Sequence, residues 1–288
     1  MLAVYKRELR SFFSSLSGFV AIAFFLLFAG IFVTVMNLFV GSSAIESSYS
    51  TTVLVYLIAI PILTMKIMSE DKKAKTDLLL RTLPLKTIEY VLGKYLALIT
   101  MIFIPTFIIF SYTLILSLYG SVNIAAAISG TLALFLCGCA LAALGLFISS
   151  LTDNTVISAV FCFGAMLLIY FMPTITMLLP KTAISATVFF ILVGLLFGYL
   201  IYRLCSSIAG ALGTIFVSSL ASLLFYAIKP SSLEGLLPKL FSLLSLTERF
   251  EIFTSSAILD LSAILYFITF AFIFVFLTHQ SCEKARLG

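Results

Sequence analysis

At 288 residues, 62% hydrophobic and only 10% charged, the chain carries more apolar surface than one soluble core of this size can hide. Its mean hydropathy of +1.23 excludes a soluble enzyme and a disordered chain and leaves a polytopic membrane protein. The net charge of +5 is read as a topology signal rather than a nucleic-acid signal, because basic residues of membrane proteins gather in cytoplasmic loops.

The first segment, Met1–Ser15, is basic and amphipathic. Lys6, Arg7 and Arg10 alternate with Leu2, Val4, Tyr5, Leu9, Phe12 and Phe13. This pattern predicts a helix lying in the membrane interface. A first span follows over 17–40. It is too long for the apolar region of a signal peptide and has no clear small-residue cleavage site. Asn37 within it either lines a pathway or is a packed amide. A short polar loop, 41–50, leads to a second span over 51–68.

The only long charged stretch is 69–94. It holds ten of the 29 charged residues: Glu70, Asp71, Lys72, Lys73, Lys75, Asp77, Arg81, Lys86, Glu89 and Lys94. The composition predicts two short helices, the first capped by Ser69 and the second opening at Pro84. A third span is expected over 95–118, with a kink at Pro105.

The fourth span, 124–149, carries Ala126, Gly130, Leu134, Gly138 and Ala142 at four-residue spacing. Gly130, Gly138 and Ala142 form a stripe suited to close helix approach, from the same chain or from a second subunit. Three more spans are predicted over 155–172, 183–202 and 208–228. The loop 229–256 includes Leu233, Leu236, Leu237, Leu240, Phe241 and Leu244, whose spacing predicts an amphipathic surface helix. The last span is 257–278, and a basic tail follows.

The chain therefore reads as one all-α transmembrane domain over 1–288. It has about eight membrane helices, or six if one apolar pair between 155 and 228 is re-entrant. An even number puts both termini on one side. Of 17 Lys and Arg, that side holds 13: Lys6, Arg7, Arg10, the seven between 66 and 94, Arg203, Lys284 and Arg286. Lys181, Lys229, Lys239 and Arg249 fall on the other side. The bias places both termini and the charged loop in the cytoplasm and makes 229–256 extracytoplasmic.

No phosphate-loop motif is present, so this chain is not expected to bind ATP in that manner. His279 is the only histidine, which rules out a zinc-protease motif. Cys137, Cys139, Cys162 and Cys205 lie in apolar runs, and the five cysteines show no metal-site spacing. No catalytic residue, metal site or bound cofactor is expected. Ion-coupled carriers keep ionisable residues near the membrane midplane. Here Asp260 and Arg203 sit at span ends, and Asp260 is read as a helix-start residue. The energy for transport is therefore expected from another subunit. The charged loop is either a solvated, lipid-anchoring loop or the docking helix for such a motor. An ATPase-independent secondary transporter and a membrane scaffold are the alternatives.

Three segments resemble the membrane subunits of ABC-2 type transporters, near the gliding-motility and copper-processing permeases. The first is Tyr5-Lys6-Arg7-Glu8-Leu9-Arg10-Ser11-Phe12-Phe13. The second is Glu70-Asp71 through Thr76, Leu79-Leu80, Pro84-Leu85 and Gly93-Lys94, with Lys75 where the family pattern has glycine. The third is Ile258-Leu259-Asp260-Leu261 with Tyr266-Phe267 and Phe276-Leu277-Thr278. The resemblance implies an ABC-2, type V exporter-like fold in a bacterial cell membrane. It also implies two cytoplasmic ABC ATPase subunits, which carry ATP and Mg, and a second permease subunit, identical or related. Residues 1–16 become an elbow helix through Lys6, Arg7, Glu8 and Arg10. Residues 69–94 become the coupling element through Glu70, Asp71, Lys75, Thr76, Leu79, Leu80, Pro84 and Lys94. Membrane lipid is an expected partner and nucleic acid is not. The transported substrate is not legible.

Overall fold

The computed structural model describes residues 1–42, 44–74, 86–118, 120–205, 213–220, 222, 226, 233–256 and 260–287. Among these the chain is helical, without strands. The α-helices are α1 (Leu2–Ser14), α2 (Leu16–Val33), α3 (Glu46–Thr64), α4 (Ser69–Lys73), α5 (Thr87–Ser117) and α6 (Ile124–Leu151). They continue as α7 (Thr155–Tyr170), α8 (Met172–Leu178), α9 (Ala183–Cys205), α10 (Leu236–Ser242), α11 (Leu246–Ser256) and α12 (Leu261–Leu287). A π-helical turn, Thr34–Phe39, extends α2.

Among the described residues five stretches are long and apolar enough to cross a bilayer: Leu16–Phe39, Glu46–Lys73, Thr87–Ser117, Ile124–Leu151 and Leu261–Ala285. They are six if α7 and α8 form one broken span. This is the lower end of the expected six to eight. The expected fifth span, 155–172, is the helix α7, and Pro173 sits in the first turn of the helix that follows it. Most of the expected span over 208–228 lies outside the described residues.

The chain divides into two compact units, Met1–Tyr170 with Leu246–Gly288, and Phe171–Ser245. In the larger unit α6 is the central element, packed by α3, α5, α7, α11 and α12. Its glycines decide how closely. A Cβ on Gly130 would lie 2.6 Å from the Tyr49 ring, and one on Gly138 would lie 2.8 Å from Ile102 and 3.0 Å from Tyr56. Ala142 is fully buried in the same cluster. The small-residue stripe is thus used within the chain, against α3 and α5. Tyrosines crossing this interface satisfy their hydroxyls. Tyr56 donates to the Leu134 carbonyl at 3.0 Å, and Tyr49 meets Thr113 at 3.0 Å and Thr131 at 2.9 Å. In hydrocarbon an unmet hydroxyl would be expensive.

The turn between α2 and α3 is held by Asn37, which is a packed amide. Its Nδ2 donates to the carbonyls of Ser42 (2.9 Å) and Ala44 (3.0 Å), and its Oδ1 accepts from Ser48 at 2.5 Å. Gly41, at φ 68°, supplies the left-handed residue that reverses the chain.

The expected extracytoplasmic loop is only partly a loop. Its last eleven residues form α11, which enters the core of the larger unit. Leu246, Phe250 and Phe253 are buried at i, i+4 and i+7, a helical face that the intervening Thr, Glu and Arg residues disguise. Asp260 starts α12 as expected, with its carboxylate accepting from the Ser262 N–H at 2.9 Å.

The smaller unit contains α8, α9, α10 and the helical residues 213–220. Leu233 and Leu237 pack on Ala183 and Ala186, while Leu240 and Leu244 are exposed. The helix α10 is therefore amphipathic, as its spacing predicts.

Candidate coupling site

The first helix lies on the start of α5. Val4, Glu8 and Phe12 are its buried face, one residue per turn. Gly93 makes the crossing close, since a Cβ there would lie 3.0 Å from that of Val4. Tyr5 reaches Thr100 at 3.1 Å. Gly18 sets the corner into α2, where a Cβ would lie 2.4 Å from the Phe12 carbonyl oxygen.

At this crossing four charged side chains converge. Lys94 of α5 is 1% exposed. Its Nζ donates to Asp71 Oδ2 at 2.6 Å, pairs with Glu8 at 3.3 Å and also donates to the Ile67 carbonyl. Arg7 reaches Asp71 at 2.9 Å and Glu8 at 2.5 Å. Tyr90, one turn before Lys94, donates to Asp71 Oδ2 at 2.9 Å, and its ring lies 5.0 Å from the ammonium. Among the described residues two cations and two anions meet here. A lysine can be buried only on these terms, because a lone desolvated charge costs several kcal/mol. The network joins α1, α4 and α5.

A second clamp fixes α4 to α6. The Ser149 hydroxyl accepts from the backbone N–H of Met68 and Ser69, each at 3.2 Å. Lys72 donates to the Ser150 carbonyl at 2.5 Å and lies 3.7 Å from Asp153. Ser69 does not cap α4. Met68 takes that position, and the Ser69 hydroxyl donates back to the Met65 carbonyl. In mid-chain, where α3 runs on into α4, the preceding turn offers a nearer acceptor than the helix start.

The structure thus brings Arg7, Glu8, Asp71 and Lys94 together. It turns Lys94 and Glu8 inward, while Glu70, Lys6 and Arg10 face outward. Lys75, Thr76, Leu79, Leu80 and Pro84 lie outside the described residues. Sequence reasoning missed Tyr90, Ser149 and Ser150. The i, i+4 spacing of Tyr90 and Lys94 was a usable signal, whereas two serines ending an apolar helix were not.

A family model described as ABC-2 family transporter protein matches residues 33–188. That is more than half of the chain. The chain belongs to the ABC-2 transporter family. As an ABC-2 membrane subunit it is an all-α, multi-pass transport component. The match takes in Asp71, Tyr90, Lys94 and Ser149, and leaves α1, α11 and α12 outside. No curated protein matches the chain.

Proposed function

We propose that this chain is the permease of an ABC export complex and that α4 with the residues after it is where a separate ATPase pushes. Two ATPase copies, carrying ATP and Mg, would act on two such permeases, with this chain itself non-catalytic. Both termini and α4 would face the cytoplasm of a bacterial cell. The observation that carries the reading is the double clamp on α4. A short helix tied by Lys94 and Arg7 to α1 and α5, and by Ser149 and Lys72 to α6, cannot move without moving three membrane elements. Its outward side keeps Glu70 and Lys73 exposed for a polar partner surface. ATP-driven closure of the ATPase pair would then bias the membrane helices between two arrangements. The work delivered would be export of a substrate or a mechanical signal to a partner beyond the membrane.

The test is ATP turnover in the reconstituted complex. Glu70→Lys with Lys73→Glu is expected to weaken ATPase association. Asp71→Asn is expected to leave association intact and to lower permease-stimulated turnover about tenfold. Normal stimulation in both variants would overturn the docking assignment.

A further inference from the structure

The opposite end of the larger unit carries a charge with no counter-ion among the described residues. Arg249 lies on α11, whose position is fixed at both ends. Near its C-terminus, Thr254 meets Ser50 at 3.5 Å, and Ser129 donates to the Phe253 carbonyl at 3.4 Å. Ser50 and Ser129 belong to the second turns of α3 and α6. At its N-terminus, Leu246 and Thr247 share a small gap with Leu57, Cys137 and Met166, well inside those helices. The helix α11 therefore descends from the rim into the bundle. Arg249 precedes Thr254 by five residues, which places it about 7.5 Å below the rim.

The guanidinium is half-buried and lies 5.7 Å from the Tyr266 ring. Among the described residues it makes no ion pair and no hydrogen bond. The Tyr266 hydroxyl is buried and also has no hydrogen-bond partner there. Stacking satisfies the face of a guanidinium and leaves its edge, with five N–H donors, unanswered. An ionised group at membrane depth marks a functional site by default, and its partner must be an acceptor. Next to it on α12, Leu265, Ile268 and Phe272 are exposed, which gives an apolar wall leading away from the charge.

We propose that Arg249 and Tyr266 bind the anionic head group of an amphiphile whose tail lies along the outer face of α12. The phosphate of a bilayer lipid and the acid group of an exported amphiphile offer the same chemistry. The assignment concerns the end of the unit remote from α4, so it does not depend on the ATPase partnership.

The full-length protein in detergent, analysed by native mass spectrometry, tests it with three probes: phosphatidylglycerol, diacylglycerol with the same chains, and inorganic phosphate. The wild type is expected to hold one phosphatidylglycerol about tenfold more tightly than diacylglycerol, a margin typical of one good charge-assisted contact. Arg249→Gln should bring the two within about twofold. Tyr266→Phe keeps the stacked ring and removes only the hydroxyl, and should weaken phosphatidylglycerol about fivefold. Lys6→Gln with Arg10→Gln, at the other end, should leave the preference in place. Preference retained in Arg249→Gln overturns the site. Should that variant not fold, unchanged binding in Tyr266→Phe does so. Displacement of phosphatidylglycerol by equimolar inorganic phosphate would show a free-anion site and overturn the amphiphile.

Discussion

Lys94 shows what a single position does in this fold. Its ammonium is shielded from solvent and shared between Asp71 and Glu8, with Arg7 completing the balance. Replacing it by methionine keeps the volume and leaves two carboxylates facing one guanidinium. Breaking a buried pair in this way costs about 3–5 kcal/mol. Asp71→Asn alone should cost a similar amount, since it leaves Lys94 and Arg7 against Glu8. The double variant leaves Arg7 and Glu8 as a matched pair, so its destabilisation should fall well short of the sum. Thermal unfolding of the four proteins in detergent gives the double-mutant cycle. Additive losses would show that the charges do not act as one network. The sequence made Lys94 and Asp71 visible as charges in a loop-like stretch. It did not show that they face inward, because burial of a lysine depends on partners 23 and 86 residues away.

At the scale of elements, periodicity found most spans and misjudged two boundaries. The helix α5 begins at Thr87, eight residues before the expected third span, because Thr87–Lys94 is a polar extension of the same helix and not a separate loop helix. The helix α11 was hidden because only Leu246, Phe250 and Phe253 are apolar on its buried face, between Thr247, Glu248, Arg249 and Glu251. The packing glycines of α6 were legible as a stripe, but their partners Tyr49, Tyr56 and Ile102 were not, since those come from other helices. A substitution at one crossing checks the same logic at α1. Gly93→Val would drive a side chain into Val4, which already approaches to 3.0 Å of an added Cβ. Overpacking of this kind costs about 1–3 kcal/mol, and the element with least to hold it is α1. Cysteines at positions 5 and 100, whose native hydroxyls meet at 3.1 Å across the length of the Tyr5 ring, should be joined efficiently by a short bifunctional thiol reagent in the otherwise native chain and poorly in Gly93→Val. Equal cross-linking would mean that α5 gives way instead.

For the larger unit as a whole, the two ends are joined by the same helices. The end of α3 leads into α4 and the push from the proposed ATPase, and its start touches α11 through Ser50 and Thr254. Close packing along α6 leaves few voids to absorb a displacement, so movement of α3 at one end must be answered at the other. The helix α11 is the element able to answer it, because it is short, begins inside the bundle and meets the start of α3 at its rim end through the Ser50–Thr254 hydroxyl pair. If the push is transmitted this way, fixing that contact should stop the cycle without touching the docking surface. Ser50→Cys with Thr254→Cys places two thiols where the hydroxyl oxygens are 3.5 Å apart. In the reconstituted complex, oxidation of this pair is expected to abolish stimulated ATP turnover while the ATPase remains bound, and reductant should restore it. Turnover that continues at the wild-type rate with the disulfide formed would show that α11 stays still, and that the displacement of α3 is absorbed before it reaches the rim.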